Sequence, residues 1–559
     1  MKKLSYKIYV IVLMTLVFSG CKKDFLSFDF TEGPVSSENV WGSDRNARGF
    51  LNYTYRGLLT RYDLGGGALM ASASDESVNS SLNNPVNIVS NGTWGPVNTF
   101  DDQYSSLYGS LRSANIFLEE SPKSRIFPTT DIPGLRGEAF FLRGMFHFEL
   151  FKRYGKIVLA KRSFSANENL NLPRNTIEEV VAQIVLDCDS AVALIPSIWT
   201  GSGTGVPYDS GYDPNNRGRA TKASALALKS RVLLYFASSL YNTSNDVSRW
   251  QNAANAAKAL IDLNKHSLLS KTDFPNLWNY SDAATQYNRE VIFATTAVVT
   301  NAIEQNNAPV GFNSGLGRAN PTQNLVDAFE MSNGKVISDP TSGYNPNNPY
   351  LNRDPRLNQF IVYNGAIFKT GTLSRAVETF DGGLDNVQTN LNSTKTGYYL
   401  RKFLNEGATY NIPSPASVRR PWVIFRYAET LLNYAEALNE AVGPNAEVYN
   451  AVNQIRIRSG MPALVSGLSQ SAMRDKIRNE RRVELCFEEH RFFDVRRWQM
   501  GEAFFNGAVR GVKITKNGTA FTYAPLVVEN RFFTAKNNFY PVPQSELNRA
   551  PALGQNAGY

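Results

Sequence analysis

Helical spacing governs both ends of this chain and lapses in the middle. "YSSLYGSLRSANIFLEE" (104–120) and "LRGEAFFLRGMFHFELFKRYG" (135–155) repeat apolar residues every three or four positions, and Pro133 and Gly134 mark the entry to the second. The short polar link between them predicts an antiparallel helical hairpin. A second pair follows in "TIEEVVAQIVLDCDSAVALIP" and "GRATKASALALKSRVLLYFASSLY", with "SRWQNAANAAKALIDLN" stacked beyond it. Ala223, Ala225, Ala227 and the alanines from Ala253 to Ala259 let these helices approach closely. An earlier helix is expected after Ser36 or Ser37, with Val40, Phe50, Leu51 and Leu58 as its apolar positions. Helices resume late with "RYAETLLNYAEALNEA", a break at Gly443-Pro444, "AEVYNAVNQIRIRSG" and "SAMRDKIRNERRVELCFEEHRFFDVRRWQM".

The repeated unit is a pair of amphipathic helices, roughly 34 residues long and degenerate in sequence, which is the mark of a tetratricopeptide-like repeat. Two stretches break the rhythm. Residues 65–103 are rich in Gly, Ser and Asn and read as a long ordered loop region, a kind of segment that usually carries function. Residues 265–420 are rich in Asn, Gly, Pro and aromatics, with short helices such as "PTQNLVDAFEMSNG", and read as an irregular lobe with short strands. The expected fold is therefore mainly α, a helical-repeat scaffold supporting a loop-rich lobe. The expected divisions are a signal peptide (1–20), an N-terminal helical region including the 65–103 loop (21–264), the lobe (265–420) and a C-terminal helical region (421–559).

Residues 1–20 form their own unit: Lys2, Lys3 and Lys7, an uncharged run from Ile8 to Phe18, then Ser19 and Gly20. The apolar run is too short for a stable membrane-spanning helix and fits a secretory signal. The chain carries a net charge of +9, and loss of the three lysines in residues 1–20 leaves +6. That excess is small and interspersed, which argues against a nucleic-acid partner. Cys188 and Cys486 fall within apolar helical patterns and are expected to be buried free thiols.

Three histidines in 559 residues, none with a second His or Cys at ligand spacing, give no metal motif. No nucleophile elbow or phosphate loop appears, so neither a cofactor nor a metal is expected. Paired carboxylates remain as an enzymatic option, since glycoside hydrolysis needs only two acids across a cleft. Asp75 with Glu76 is one candidate; Glu480, Glu484 and Glu488 form another. The latter recur every four residues beside Arg478, Arg481 and Arg491, a spacing that an ion network on one helical face explains more simply.

Several stretches together resemble the SusD/RagB family of Bacteroidetes outer-membrane lipoproteins. They are "SGCKKDFL" around Cys21, the 135–155 and 218–238 helices, "EVIF" (290–293), "RDPRL" (353–357), "RYAETLLNYAEALNEA", "RNERRVELCFEEHRFFDVRRW" and the ending "FYPVPQSELNRAPALGQNAGY". Ser19-Gly20-Cys21 resembles a lipobox, which implies cleavage before Cys21 and acylation of that residue, and multiple acyl chains would anchor the mature protein firmly. The resemblance further implies a non-enzymatic, surface-exposed nutrient-binding protein on the outer membrane. Its implied partner is a SusC-like TonB-dependent transporter, over which it sits as a hinged lid.

The resemblance does not identify ligand residues. From the residues themselves, a sugar offers apolar faces and hydroxyls, so an aromatic ring beside amides or charges is what would bind it. Trp94, with Asn91 and Asn98 around it, is the leading candidate for a sugar platform, because Gly92, Gly95 and Pro96 set a turn with no obvious partner for the indole. Asp75 at the mouth of the loop region, and Trp278, Tyr280, Tyr287 and Arg318 in the lobe, complete the set. Trp278 ranks below Trp94, since Phe274 and Leu277 suggest it is packed. The function expected is glycan capture, with a peptide-binding uptake lipoprotein or a lipid-anchored glycoside hydrolase as alternatives.

Overall fold

A computed structural model describes residues 37–165, 167–195, 218–278, 288–386, 390, 392–410 and 416–559. Cys21 and the signal segment therefore lie outside the described residues, as do Tyr280 and Tyr287. The helices that carry the architecture are α1 (Asp44–Thr54), α2 (Tyr104–Glu120), α3 (Ile132–Tyr154), α4 (Ile177–Leu194), α5 (Lys222–Ala237), α6 (Val247–Asp262), α7 (Tyr427–Val442), α8 (Ala446–Arg458), α9 (Gln470–Glu484) and α10 (His490–Arg497). The fold is mainly helical, with short strands.

Local chemistry sets the helix starts. Thr176 caps α4 in a reciprocal box with Glu179, Thr221 does the same for α5 with Ser224, and Asn445 and Ser469 cap α8 and α9. From α2 to α7 each helix packs on the next, and α6 packs on α7 across the intervening lobe. The helical regions at the two ends of the chain therefore form one continuous stack, with the lobe inserted between its sixth and seventh members.

Helix α3 is buried around nearly its whole circumference, so it reads as apolar on every side except where charges pair internally. Gly137 permits the α4 contact: a Cβ there would lie 2.8 Å from Ile195 Cγ1. His147 on this helix is fully buried and its Nε2 accepts a hydrogen bond from the Ala160 amide. Burial, aided by Arg143, lowers its pKa to about 3, so it is a neutral core residue.

The lobe has its own core around Phe274, Phe312, Phe329, Phe360, Tyr399 and Phe403, which also takes in Tyr62 and Leu69 from the N-terminal region and Cys486 and Phe487 from the C-terminal one. Its strands pair two by two: 77–79 with 319–321, 291–294 with 423–426, 298–300 with 418–420, 361–362 with 399–400 and 367–370 with 373–376. A longer antiparallel hairpin, Gly507–Asn517 with Ala520–Arg531, leans on the lobe through the Val512 amide to the Thr396 carbonyl.

Two expectations need correction. The stretch from Arg478 to Trp498 is not one helix: α9 ends at Glu484, and Phe487 (φ 66°) and Glu489 (φ 69°) adopt left-handed backbone before α10 begins. That break points the Phe487 amide at Glu76 and brings Glu489 to Arg61. Nor do Glu480, Glu484 and Glu488 pair with the arginines beside them in sequence. Glu484 binds Arg356, Arg426 and Arg458; Glu480 binds Arg356 and Arg456; Glu488 binds Arg426 and Lys402. The network is internal and structural, as the spacing suggested, but it joins α9 to the lobe and to α8.

Candidate ligand-binding surface

The 65–103 region is divided, its earlier part enclosed and much of 81–99 at the surface. Residues 67–80 are buried, and the strand Ser77–Asn79 pairs with Ala319–Pro321 of the lobe, so that part forms a plug between stack and lobe. Trp94 is 3% exposed. Its ring lies 4.7 Å from Tyr540 in an edge-on contact, with Phe492 and Tyr559 each at 6.5 Å. An indole enclosed in this way presents no face to a sugar, which corrects the platform reading. Its partners come from the far end of the chain, where local sequence gives no sign of them.

Asn91 and Asn98 remain exposed, but they close the turn around Thr93. Asn91 Oδ1 accepts from the Thr93 amide and hydroxyl, and Asn98 Nδ2 donates to the Thr93 carbonyl. Asp75 is likewise removed from the surface: its carboxylate accepts from Arg491 Nε at 2.8 Å and Arg482 Nη2 at 2.6 Å. Burial opposes ionisation there, but the two guanidiniums outweigh it and hold the pKa at about 2. Glu76 beside it is pushed up to about 8 by burial and by the Asp75 charge. Two carboxyls with such different pKa values would suit acid–base chemistry only beside a substrate; both of these are buried, Asp75 against Arg482 and Arg491 and Glu76 against the Phe487 amide.

Arg318 is half-buried just before the strand Ala319–Pro321, with its backbone tied to Ser80 and Asn306. Gly67 (φ +79°) lets the plug pass it: a Cβ there would lie 2.8 Å from Arg318 Cγ. The structure thus sets Arg318 beside the plug and Trp278 elsewhere, in the lobe.

Trp278 lies at the edge of a cleft of about 400 Å³ lined by Gln359, Phe360, Arg401, Asn405 and Glu406 among others. The indole packs edge-on against Phe403 at 5.0 Å, with Lys402 Nζ 5.1 Å from the ring centre. It is packed, as Phe274 and Leu277 suggested, and it still lines the opening. The loop that follows bends sharply, with Phe403 at φ 74°, which places Asn405 and Glu406 on the rim.

Arg401 anchors that rim, donating from Nη1 to the Asn358 carbonyl at 2.8 Å and pairing through Nε with Glu406 at 3.1 Å. Trp278 Nε1 and Gln359 Oε1 have no hydrogen-bond partner among the described residues. Such groups lose free energy unless a ligand or water satisfies them. Trp278 is itself only 5% exposed, so it gives the cleft the edge of its ring at most, beside amides and an ion pair that can hold a polar molecule. Gln359, Arg401 and Glu406 escape a reading of the sequence, because they come from two separate stretches, one at 359 and one at 401–406, and none belongs to a local motif.

No helix among the described residues is long and apolar enough to cross a membrane. Residues 276–559 match the family model described as the SusD family, and residues 67–234 match one described as starch-binding associating with the outer membrane. A SusD-like protein from Bacteroides fragilis superposes with a TM-score of 0.78 at 27% identity, covering 94% of this chain and 99% of that one. A SusD-like carbohydrate-binding protein from the same species gives 0.75 at 24% identity, over 92% of this chain and 100% of that one. SusD-like protein P25 of Formosa agariphila is 23% identical over 525 residues, 88% of this chain and 89% of that protein. With more than half of its length matched, the chain belongs to the SusD family.

Proposed function

We propose that this protein captures a glycan at the outer face of the outer membrane and delivers it, without cleaving it, to a SusC-like TonB-dependent transporter. The observation that carries the reading is the Trp278 cleft, an indole edge beside polar groups with no partner among the described residues, in a chain of a family described by carbohydrate binding. Glu406 is the one carboxylate among the described residues lining that cleft, so the two-acid arrangement of glycoside hydrolysis is not met there. Cys21, after its three-part signal, is the proposed point of acylation, and Arg318 is a proposed second polar contact near the plug.

The test is calorimetric titration of the chain from Lys22 onward with soluble polysaccharides, with the products analysed by chromatography. Saturable binding without new reducing ends is expected. Turnover, or no binding to any polysaccharide, would overturn the reading. In cells, palmitate label is expected on the wild type and not on Cys21→Ala, and the wild type is expected to co-purify with a TonB-dependent barrel.

A further inference from the structure

The Trp278 cleft does not end at its rim. Asn358 lines it and also accepts a hydrogen bond from the Tyr363 hydroxyl at 3.3 Å, on the same Oδ1 that Arg401 Nη1 reaches at 3.2 Å. Tyr363 stacks on Tyr350, with ring centres 4.2 Å apart and planes 23° from parallel. Tyr350 meets Tyr523 edge-on at 5.7 Å, and Tyr523 belongs to the long hairpin. All three tyrosines are half-buried. The Tyr350 hydroxyl donates to the Tyr398 hydroxyl, 3.4 Å away. Two stretches distant in sequence, one carrying Tyr350 and Tyr363 and the other Tyr523, thus leave a row of half-buried aromatic residues that begins at the cleft wall.

Most of the charge in the cleft is matched, and Lys369, exposed on the lining, is the one cation there with no ion pair among the described residues. Arg401 pairs with Glu406, and Lys402 pairs with Glu488 at 2.6 Å. The described lining therefore offers no cluster of unpaired cations of the kind that would favour a uronate or sulfated sugar.

We infer that the cleft and the Tyr363–Tyr350–Tyr523 row form one extended site for a neutral glycan chain of several sugar units, with the terminal units in the cleft and the following ones on the tyrosines. The inference rests on the glycan-binding reading above and deepens it. Each pyranose has an apolar face that a ring can cover and edge hydroxyls that a phenol or amide can bond, so successive units gain contacts as they pass along the row. A short glycan would fill the cleft alone.

The experiment titrates the chain from Lys22 onward with amylose, laminarin, xylan, mannan and polygalacturonate, and with the trisaccharide of each. The polymer that binds is expected to be neutral and to bind about tenfold more tightly than its trisaccharide, the scale of one added aromatic contact. Tyr350→Leu and Tyr523→Ala are each expected to remove most of that difference while leaving the trisaccharide unchanged. Gln359→Ala is expected to weaken both ligands alike. Thermal melts accompany each variant, and Tyr523→Ala, on the hairpin surface, stands in if Tyr350→Leu melts early. Equal affinity for polymer and trisaccharide overturns the extended site while leaving glycan binding intact. So does a length effect that survives both tyrosine variants. Preference for polygalacturonate overturns the neutral class. Failure of all five polymers removes the glycan reading itself.

Discussion

Replacing Glu484 by alanine tests the claim that buried charge, rather than apolar contact alone, fastens the lobe to the helical stack. The carboxylate is fully buried. Oε1 accepts from Arg426 Nη1 at 2.7 Å and Arg458 Nη2 at 2.5 Å, and Oε2 accepts from Arg356 Nη1 at 2.9 Å. Burial alone would raise its pKa, but Arg458, Arg426 and Arg356 outweigh it and hold the carboxyl well below the ordinary range. Removing it leaves three guanidiniums facing one another, with Glu290, Asp354, Glu480 and Glu488 as their remaining acids. Breaking a buried pair by deleting one partner costs about 3 to 5 kcal/mol. The unfolding entropy of about 2.1 cal/mol/K per residue amounts to about 1 kcal/mol/K for a unit of this size, so the melting temperature should fall by about 3 to 5 °C.

Differential scanning calorimetry at pH 7 reads that shift, and Glu484→Gln, which keeps an acceptor but not the charge, should fall between the two. The pH dependence adds a second reading. Because the folded pKa is depressed below 4.5, the stabilisation is present above that pH and is lost as pH falls through the folded value. Glu484→Ala should therefore lie nearest the wild type in the most acidic buffers. A melting temperature within about 1 °C of wild type at pH 7 would refute the reasoning, since a cost of that size requires a larger shift.

Glu76 carries the opposite sign. Its folded pKa of about 8 lies above its unfolded 4.5, so stability falls as pH rises between those values, by about 1.4 kcal/mol per unit, and Glu76→Gln should flatten that decline in melts from pH 5 to 8. Trp94→Ala should lower stability by about 3 to 5 kcal/mol through the cavity it leaves among Tyr540, Phe492 and Tyr559, with glycan affinity measured below the melt unchanged. Loss of affinity with an unchanged melt would instead restore it as a platform. Cys188 and Cys486 are buried and burial raises both thiol pKa values, so a thiol-reactive dye should label neither in the native protein and both in denaturant.

The helical stack is legible in the sequence because its signal is local. A period of three or four residues, caps such as Thr176 with Glu179, and alanines at contact positions all act within one helix or between neighbours in the chain. The acids at 480, 484 and 488 are legible as a network for the same reason, yet their partners are not, since Arg356 and Arg426 approach from the lobe side, more than fifty residues away. Trp94 shows the limit most plainly. Gly92, Gly95 and the nearby asparagines correctly indicate a turn, but whether a side chain on a turn faces water depends on what covers it. Here the cover is the C-terminal segment carrying Tyr540 and Tyr559. The cleft is hidden for a related reason, since its polar rim is assembled from separate segments around Trp278, Gln359 and Arg401.

The position of the ion network bears on why a cleft can persist at the lobe. Replacing buried charges with apolar groups of similar size is often neutral or stabilising, so the network is weak support for stability as such. Its geometry is directional, however. Arg356 reaches from the lobe to Glu480 and Glu484 on α9, and Arg426 reaches from the strand before α7 to Glu484 and to Glu488 beyond the α9 break. Each guanidinium meets its acids in only one relative orientation of lobe and stack. Lys402 extends the same constraint to the cleft: its ammonium donates to the Glu484 and Cys486 carbonyls and to Glu488, while its neighbours Arg401 and Phe403 shape the wall beside Trp278. The indole and the Gln359 oxygen, which has no partner among the described residues, are thus held at a fixed spacing, which would reduce the ordering cost of the binding proposed above.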